Sequence, residues 1–316
     1  MTLQKLDIGK ANLEVYSEML IELGTKDKNI LAVTSDSRGS GKLGPFAEKL
    51  PDQIVEVGIA EQNLVGVAAG LASTGKSVFA TSPACFLATR SLEQIKNDVA
   101  YSNQPVTLVG ISAGVSYGAL GSTHHSTHDV AVLRAMNNID IVVPADNYEA
   151  REAVIAAAKS DKPIFLKFGK KAMPHLPRKE EKFEIGKASL ICEGSDVTFI
   201  ACGETVAPAY EAARLLEEKG ISAEVISMHT VRPLDKETVI ATAKKCKAII
   251  TVEEHSIHGG LGEACASLLM QERVYKPFKI IGIPDEDTVT GSQGEIFNHY
   301  GISGEGLSEV ALALLA

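Results

Sequence analysis

The sequence has no tryptophan, and seven tyrosines and nine phenylalanines bring its aromatic content to only 5%. It has no unbroken apolar run near the roughly 20 residues that a membrane-spanning helix requires. Its start, Met1-Thr-Leu-Gln-Lys-Leu-Asp7, lacks the apolar core of a secretory signal. Paired cysteines are missing too: Cys85, Cys192, Cys202, Cys246 and Cys265 are scattered, odd in number and form no C-x-x-C. That pattern argues against a disulfide frame or a cysteine zinc site, and predicts buried thiols in a reducing cytoplasm. Nor is there a basic excess: 31 Lys+Arg against 40 Asp+Glu leave a net charge of −9, with no footprint for nucleic acid.

What is present is 45% apolar and 22% charged residues over 316 positions, enough for about two globular domains. Short apolar runs alternate with helical periodicity, the mark of a mostly parallel sheet flanked by helices. Strands are predicted at Ile30–Thr34, Ile54–Val57, Ser77–Ala80, Val106–Ile111, Ile139–Val143 and Ile164–Lys167. Helices are predicted at Asn12–Leu23, Glu61–Ser73, Phe86–Tyr101, His128–Met136 and Asn147–Lys159. The pattern breaks in a charged stretch with two prolines over 169–187. A second α/β unit follows, with strands at Val197–Ala201, Ala223–Ile226, Ala248–Val252 and Phe278–Ile281 and helices at Ala207–Lys219, Lys236–Lys244 and Leu261–Gln271. The expected layout is a first domain over 1–172, a linker over 173–188 and a second domain over 189–316.

Four stretches carry candidate chemistry. Glu61 opens Glu61-Gln-Asn-Leu-Val-Gly-Val-Ala-Ala-Gly-Leu-Ala72, a helix apolar on every face from Leu64 onward. A carboxyl there either complements the helix dipole or, desolvated, becomes a proton donor near neutrality. The run Gly121-Ser-Thr-His124-His125-Ser-Thr-His128-Asp129 follows a strand end, where open α/β sheets bind ligands. Its histidines could contact substrate, bind a metal, or sit at a helix start capped by Ser126 or Thr127. Gly39-Ser40-Gly41-Lys-Leu-Gly44 has dinucleotide-loop spacing, but Glu56 falls only 12 residues past Gly44, too soon for the acidic partner of that motif. It remains a loop able to receive a phosphate on Ser40 and backbone amides. Glu253-Glu-His255-Ser-Ile-His258-Gly-Gly-Leu-Gly262 reads as a tight strand-to-helix turn. Cys85 has no visible cation beside it and is expected to be an inert buried thiol.

Taken together and in order, these stretches resemble transketolase. The run G-I-A-E-Q-N at 58–63 with A-A-G-L-A at 68–72 is similar to its cofactor-activating segment. T-H-H-S-T-H-D-V-A-V-L-R at 123–134 and V-V-P-A-D at 142–146 resemble its substrate loop and next strand. Met228-His-Thr-Val-Arg-Pro-Leu-Asp235 and Val252-Glu-Glu-His255 with Gly259–Gly262 resemble its C-terminal domain. The resemblance covers the family's pyrimidine-binding and C-terminal domains, and no G-D-G occurs anywhere. It therefore implies a split, two-chain enzyme whose partner carries the G-D-G…N segment for the diphosphate and Mg²⁺ of thiamine diphosphate, self-associating into a heterotetramer. By the same resemblance, Glu61 and His124 are catalytic. Glu61 bonds the cofactor's aminopyrimidine ring, Phe86 or Leu87 stacks on it, and Asp36 joins the cofactor site. Ser40, His124, His125 and Lys170 hold the sugar phosphate. The implied reaction moves a two-carbon ketol unit from a ketose phosphate to an aldose phosphate.

The sequence departs from that pattern at three places. Ala119-Leu120-Gly121 stands where Glu-Asp-Gly is common, which removes the acid that reads the donor's hydroxyls. Lys170 replaces an arginine and gives up bidentate phosphate geometry. The aromatic pair after Thr81-Ser82 thins to Phe86 with Leu87. The β subunit of a 2-oxoacid dehydrogenase E1, 1-deoxyxylulose-phosphate synthase and a non-catalytic regulatory subunit are the alternative expectations.

Overall fold

A computed structural model describes residues 4–316. The first half runs β1 (Ile8–Ala11), α1 (Asn12–Lys26), β2 (Ile30–Thr34), α2 (Gly44–Lys49), β3 (Ile54–Glu56), α3 (Glu61–Ala72), β4 (Ser77–Pro83), α4 (Ala84–Arg90) and α5 (Leu92–Gln94). It continues with β5 (Val106–Ile111), α6 (Asp129–Arg134), β6 (Asp140–Val142), α7 (Asn147–Ala158), β7 (Ile164–Lys167) and β8 (Ala172–Pro174). The second half runs β9 (Ser189–Cys192), β10 (Val197–Ala201), α8 (Val206–Glu217), β11 (Ala223–Ser227), β12 (Thr230–Arg232), α9 (Lys236–Lys245), β13 (Ala248–Ser256), α10 (Leu261–Gln271), β14 (Phe278–Ile283), α11 (Gln293–His299) and α12 (Gly304–Leu315).

Two helix-flanked sheets result, as the alternation predicts. The larger has order β12-β6-β7-β5-β4-β2-β3 and is parallel except at β12. The smaller has order β14-β13-β10-β11-β9 and is parallel except at β9. Strands such as β2 (ILAVT), β5 (VTLVGI) and β10 (VTFIA) are buried at every residue, because helices cover both faces. The parallel arrangement puts the ends of β2, β4 and β5 on one rim, and there the candidate residues gather.

Three features depart from the expectations. The helix predicted over Phe86–Tyr101 breaks at Ser91, whose hydroxyl donates back to the Leu87 carbonyl at 2.5 Å, and resumes as α5 and a π-helical turn over Ile95–Tyr101. The stretch expected to be a bare linker is tied down: β8 pairs with β1, and the buried Arg178 guanidinium meets Asp146 at 2.6 Å and Glu149 at 3.0 Å. Finally β12, from the second half of the sequence, forms the edge of the first sheet by pairing antiparallel with β6. No helix among the described residues is long and apolar enough to cross a membrane.

Candidate active site

Glu61 is the first residue of α3 and is 2% exposed. Its carboxylate accepts a hydrogen bond from Arg90 Nη1 at 2.7 Å, and the arginine side chain is itself half open to solvent. The other face of α3 packs Leu64, Val65, Ala68 and Ala72 into the core, whereas Gly66, Val67, Gly70 and Leu71 remain partly open. Ile59, two residues before Glu61, is 74% exposed, an uncovered large apolar side chain at the mouth of the helix.

Around this mouth stands a small aromatic group. The Arg90 guanidinium lies 4.7 Å from the Phe86 ring centroid. Phe86 and Tyr117 each meet the His124 ring edge-on, with centroids 5.5 and 5.4 Å apart, and Lys170 Nζ sits 4.8 Å from the Tyr117 ring. Of the Phe86–Leu87 pair, Phe86 is the half-buried member; Leu87 is fully buried in the core. Asp36 is exposed at positive φ (52°), with its amide donated to Glu56 Oε1 at 2.7 Å. Ser40 is exposed in the same loop, its hydroxyl donating to the Ser37 carbonyl at 3.2 Å.

The three histidines separate. His124 is half-buried and faces Phe86 and Tyr117. His125 is 2% exposed and uses both ring nitrogens within the protein, Nδ1 with Thr288 at 2.6 Å and Nε2 with the Gly118 carbonyl at 2.9 Å. His128 is the N-cap residue of α6, but no side chain caps that helix; the Ser126 hydroxyl expected to cap it donates instead to the Asp129 carboxylate at 2.8 Å. Burial pushes the Cys85 thiol up to about 11, as an inert buried cysteine requires. The Glu253 turn is structural as read: its carboxylate accepts the Leu261 and Gly262 amides at 2.7 and 2.8 Å at the start of α10. Sequence reasoning missed Arg90, Tyr117 and Thr288. Arg90 follows Phe86 by one helical turn, a spacing that could have disclosed it; Thr288 left no local signal.

Behind the mouth, a polar seam joins the two sheets. Lys167 and Asp129, both buried, pair at 2.8 Å. Burial opposes both charges, yet the pair partner together with Ser126 and His255 around the aspartate, and with Glu254 around the lysine, outweighs it, so the lysine pKa is raised and the aspartate pKa lowered. Gln293 Nε2 donates to Glu204 Oε2 at 2.6 Å and to Glu254 Oε1 at 2.8 Å, while Glu204 Oε1 is buried without a partner. Burial, and for Glu204 its repulsion with Glu254, raise both carboxyls; burial alone raises Glu253 to about 7. Facing them are Lys167, Lys171, Asp129 and His255, the last held neutral by burial with a pKa near 4.

This seam gives a pH dependence of stability. Above about pH 6.5 the folded state keeps a proton on Glu253 and Glu254 up to about pH 7, and on Glu204 up to about pH 8, that the unfolded chain has already lost. Each retained proton lowers stability by about 1.4 kcal/mol per pH unit. The depressed histidines His125, His229 and His255 act only below about pH 6.5, where the unfolded chain starts to protonate them. Urea unfolding of this chain should therefore show stability falling from pH 6.5 to 8, and less steeply in Glu204→Gln. A flat or rising profile would contradict the protonated seam.

A buried carboxyl at a helix mouth, a half-open aromatic ring and a histidine on a neighbouring loop gather at the strand-end rim of a parallel α/β sheet, where such folds bind their ligands. Comparison with known proteins makes this specific. The family model for the transketolase pyrimidine-binding domain matches residues 9–175, and that for the transketolase C-terminal domain matches residues 186–307. The chain is 48% identical to one of the subunits of the apulose-4-phosphate transketolase of Phocaeicola vulgatus, covering 94% of this chain and 95% of that one. It is 35% identical to the 1-deoxy-D-xylulose-5-phosphate synthase of Halothermothrix orenii, covering 96% of this chain but 48% of that protein. Among solved structures, the split-gene transketolase in its inactive β4 tetramer superposes with a TM-score of 0.86 at 34% identity, covering 97% of this chain and 98% of that one. The chain belongs to the transketolase family and holds its pyrimidine-binding and C-terminal domains.

The family's cofactor, thiamine diphosphate, fits this chain at its pyrimidine end. Glu61 supplies a buried carboxyl, Phe86 a half-open ring, and Ile59 an apolar surface awaiting cover. Among the described residues no group of three His, Cys, Asp or Glu side chains is arranged to hold a metal ion.

Proposed function

We propose that this chain works with a second polypeptide to transfer a two-carbon ketol unit from a ketose phosphate to an aldose phosphate in cytoplasmic sugar-phosphate metabolism, including pentose phosphates. The observation that carries the reading is Glu61: a nearly fully buried carboxyl at the start of a helix whose other near neighbours are Arg90 and an open mouth. In this reading Glu61 holds a proton toward the aminopyrimidine, Phe86 stacks on that ring, and Asp36 lines the same site. When bound, thiamine diphosphate supplies the carbon nucleophile that accepts the ketol unit. Arg90 would stay beside the Glu61 carboxyl, at the entrance to the site. His124 bonds the sugar hydroxyls, and Ser40 and Lys170 receive the sugar phosphate on the exposed rim. His125, with both nitrogens engaged, supports the loop that carries His124.

The partner polypeptide would bring the diphosphate and Mg²⁺ site, because no G-D-G segment exists here. The partly open stripe of Gly66, Val67, Gly70 and Leu71 suits close helix contact between chains in a heterotetramer. Leu120, 55% exposed where an acid is common, suits a donor with fewer hydroxyls to read. The name of the Phocaeicola relative makes apulose 4-phosphate the first donor to assay beside xylulose 5-phosphate.

The test is affinity capture of this chain from native lysate with thiamine diphosphate and Mg²⁺, followed by mass spectrometry and ketol-transfer assay of the eluate. A stoichiometric partner containing G-D-G…N together with transferase activity is the expected result. Product formation from pyruvate and glyceraldehyde 3-phosphate instead would move the assignment to the synthase reading that the Halothermothrix relative favours. Recovery of the folded chain alone and inactive would bring the regulatory reading forward.

A further inference from the structure

The loop that carries His124 is held by the second half of the chain. At its start, Val115 N–H donates to Glu254 Oε1 at 2.8 Å. At its end, Ser256 N–H donates to the Thr127 carbonyl at 2.7 Å. In between, one hydroxyl from the second half, Thr288, meets Ser122 Oγ at 3.0 Å and His125 Nδ1 at 2.6 Å.

The direction of these bonds follows from chemistry. Burial keeps His125 neutral by lowering its pKa. The Gly118 carbonyl can only accept, so Nε2 carries the ring proton and Nδ1 accepts the proton of Thr288. That leaves the Thr288 oxygen to accept from Ser122. The bonds therefore run one way, Ser122 to Thr288 to His125 to the Gly118 carbonyl, and fasten both flanks of residues 118–125 to a single side chain. His124 lies inside that span and has no comparable anchor of its own: its ring contacts are Thr123, Phe86 and Tyr117.

We propose that Thr288, aided by Glu254, is a positioning residue that sets where His124 stands for the donor sugar, so that substrate affinity depends on a domain containing none of the cofactor- or substrate-contacting residues assigned above. The consequence for substrate rests on the function proposed for His124; the fastening itself does not. Losing one hydroxyl that serves two bonds should weaken the held geometry by about tenfold in equilibrium terms.

The experiment compares Thr288→Val with Thr288→Ser. In the isolated chain, amide hydrogen exchange over residues 118–126 should accelerate about tenfold in the valine variant and stay native in the serine variant. In the assembled complex, the KM for the ketose phosphate should rise about tenfold in the valine variant, with kcat within about threefold, and serine should restore it. Unchanged loop exchange in Thr288→Val, or accelerated exchange with unaltered KM, overturns the proposal. A wild-type complex without ketol transfer overturns the functional reading instead, and the exchange measurement still decides whether Thr288 holds the loop. Should Thr288→Val fail to fold, Ser122→Ala at the exposed end of the same chain of bonds should produce the same changes, smaller in size, and their absence counts against the proposal equally.

Discussion

Replacing Glu61 by Gln should lower kcat of the assembled enzyme by about 10²–10⁴-fold, the usual contribution of a positioned acid or base. The amide keeps the size of the carboxyl but cannot carry or yield a proton. The fold should survive, because the chain holds Glu61 through a single contact to a half-open arginine, and a neutral amide still accepts that bond. Steady-state kinetics at saturating cofactor, with a thermal melt as control, separates the effects. Unchanged turnover would remove Glu61 from the mechanism, and collapse of the melt would make its role structural.

The largest effect on stability is expected at Lys167. Replacement by Met should cost about 3–5 kcal/mol, because Asp129 is left as an uncompensated charge with no exposed surface. The loss extends beyond the ion pair: Lys167 Nζ also reaches the Ser126 carbonyl at 3.5 Å and the Glu254 carbonyl at 3.3 Å, one in each half of the chain. Denaturant unfolding measures the difference directly. A companion variant, Lys167→Met with Asp129→Asn, should recover part of it by removing the stranded charge. A cost below about 1 kcal/mol in the single variant would mean that water reaches the seam.

The sheet strands were legible because burial on both faces forces continuous apolar runs, and β2, β5, β7 and β10 match their expected limits. Elements held by distant partners were not. Thr230–Arg232 is three residues long with no alternation, and only its pairing with β6 makes it a strand. Ser91 looks helix-compatible, and the break there is accompanied by its hydroxyl turning back on the Leu87 carbonyl. The candidate site divided in the same way. Glu61 and His124 stand out because a carboxyl beside an apolar helix and a cluster of histidines are unusual locally. Arg90, Tyr117 and Thr288 are ordinary residues until the fold brings them within reach, from 29 residues away in the case of Arg90 and Glu61.

The exchange of an edge strand between the halves bears on how the chain is made. As the polypeptide emerges, β6 is finished at Val142, but its neighbour on the outer side does not exist until Thr230, 230 − 142 = 88 residues later. At about 5–20 residues per second, the first sheet waits roughly 4–18 s with one margin bare. Over that interval the unpaired amides and carbonyls of Asp140–Val142 are open to any strand that arrives first, including the same segment of a neighbouring nascent chain. A chain stopped in the 173–188 stretch would keep that margin permanently, so the first half should be collected by chaperones or in aggregates when it is synthesised without residues 230–232.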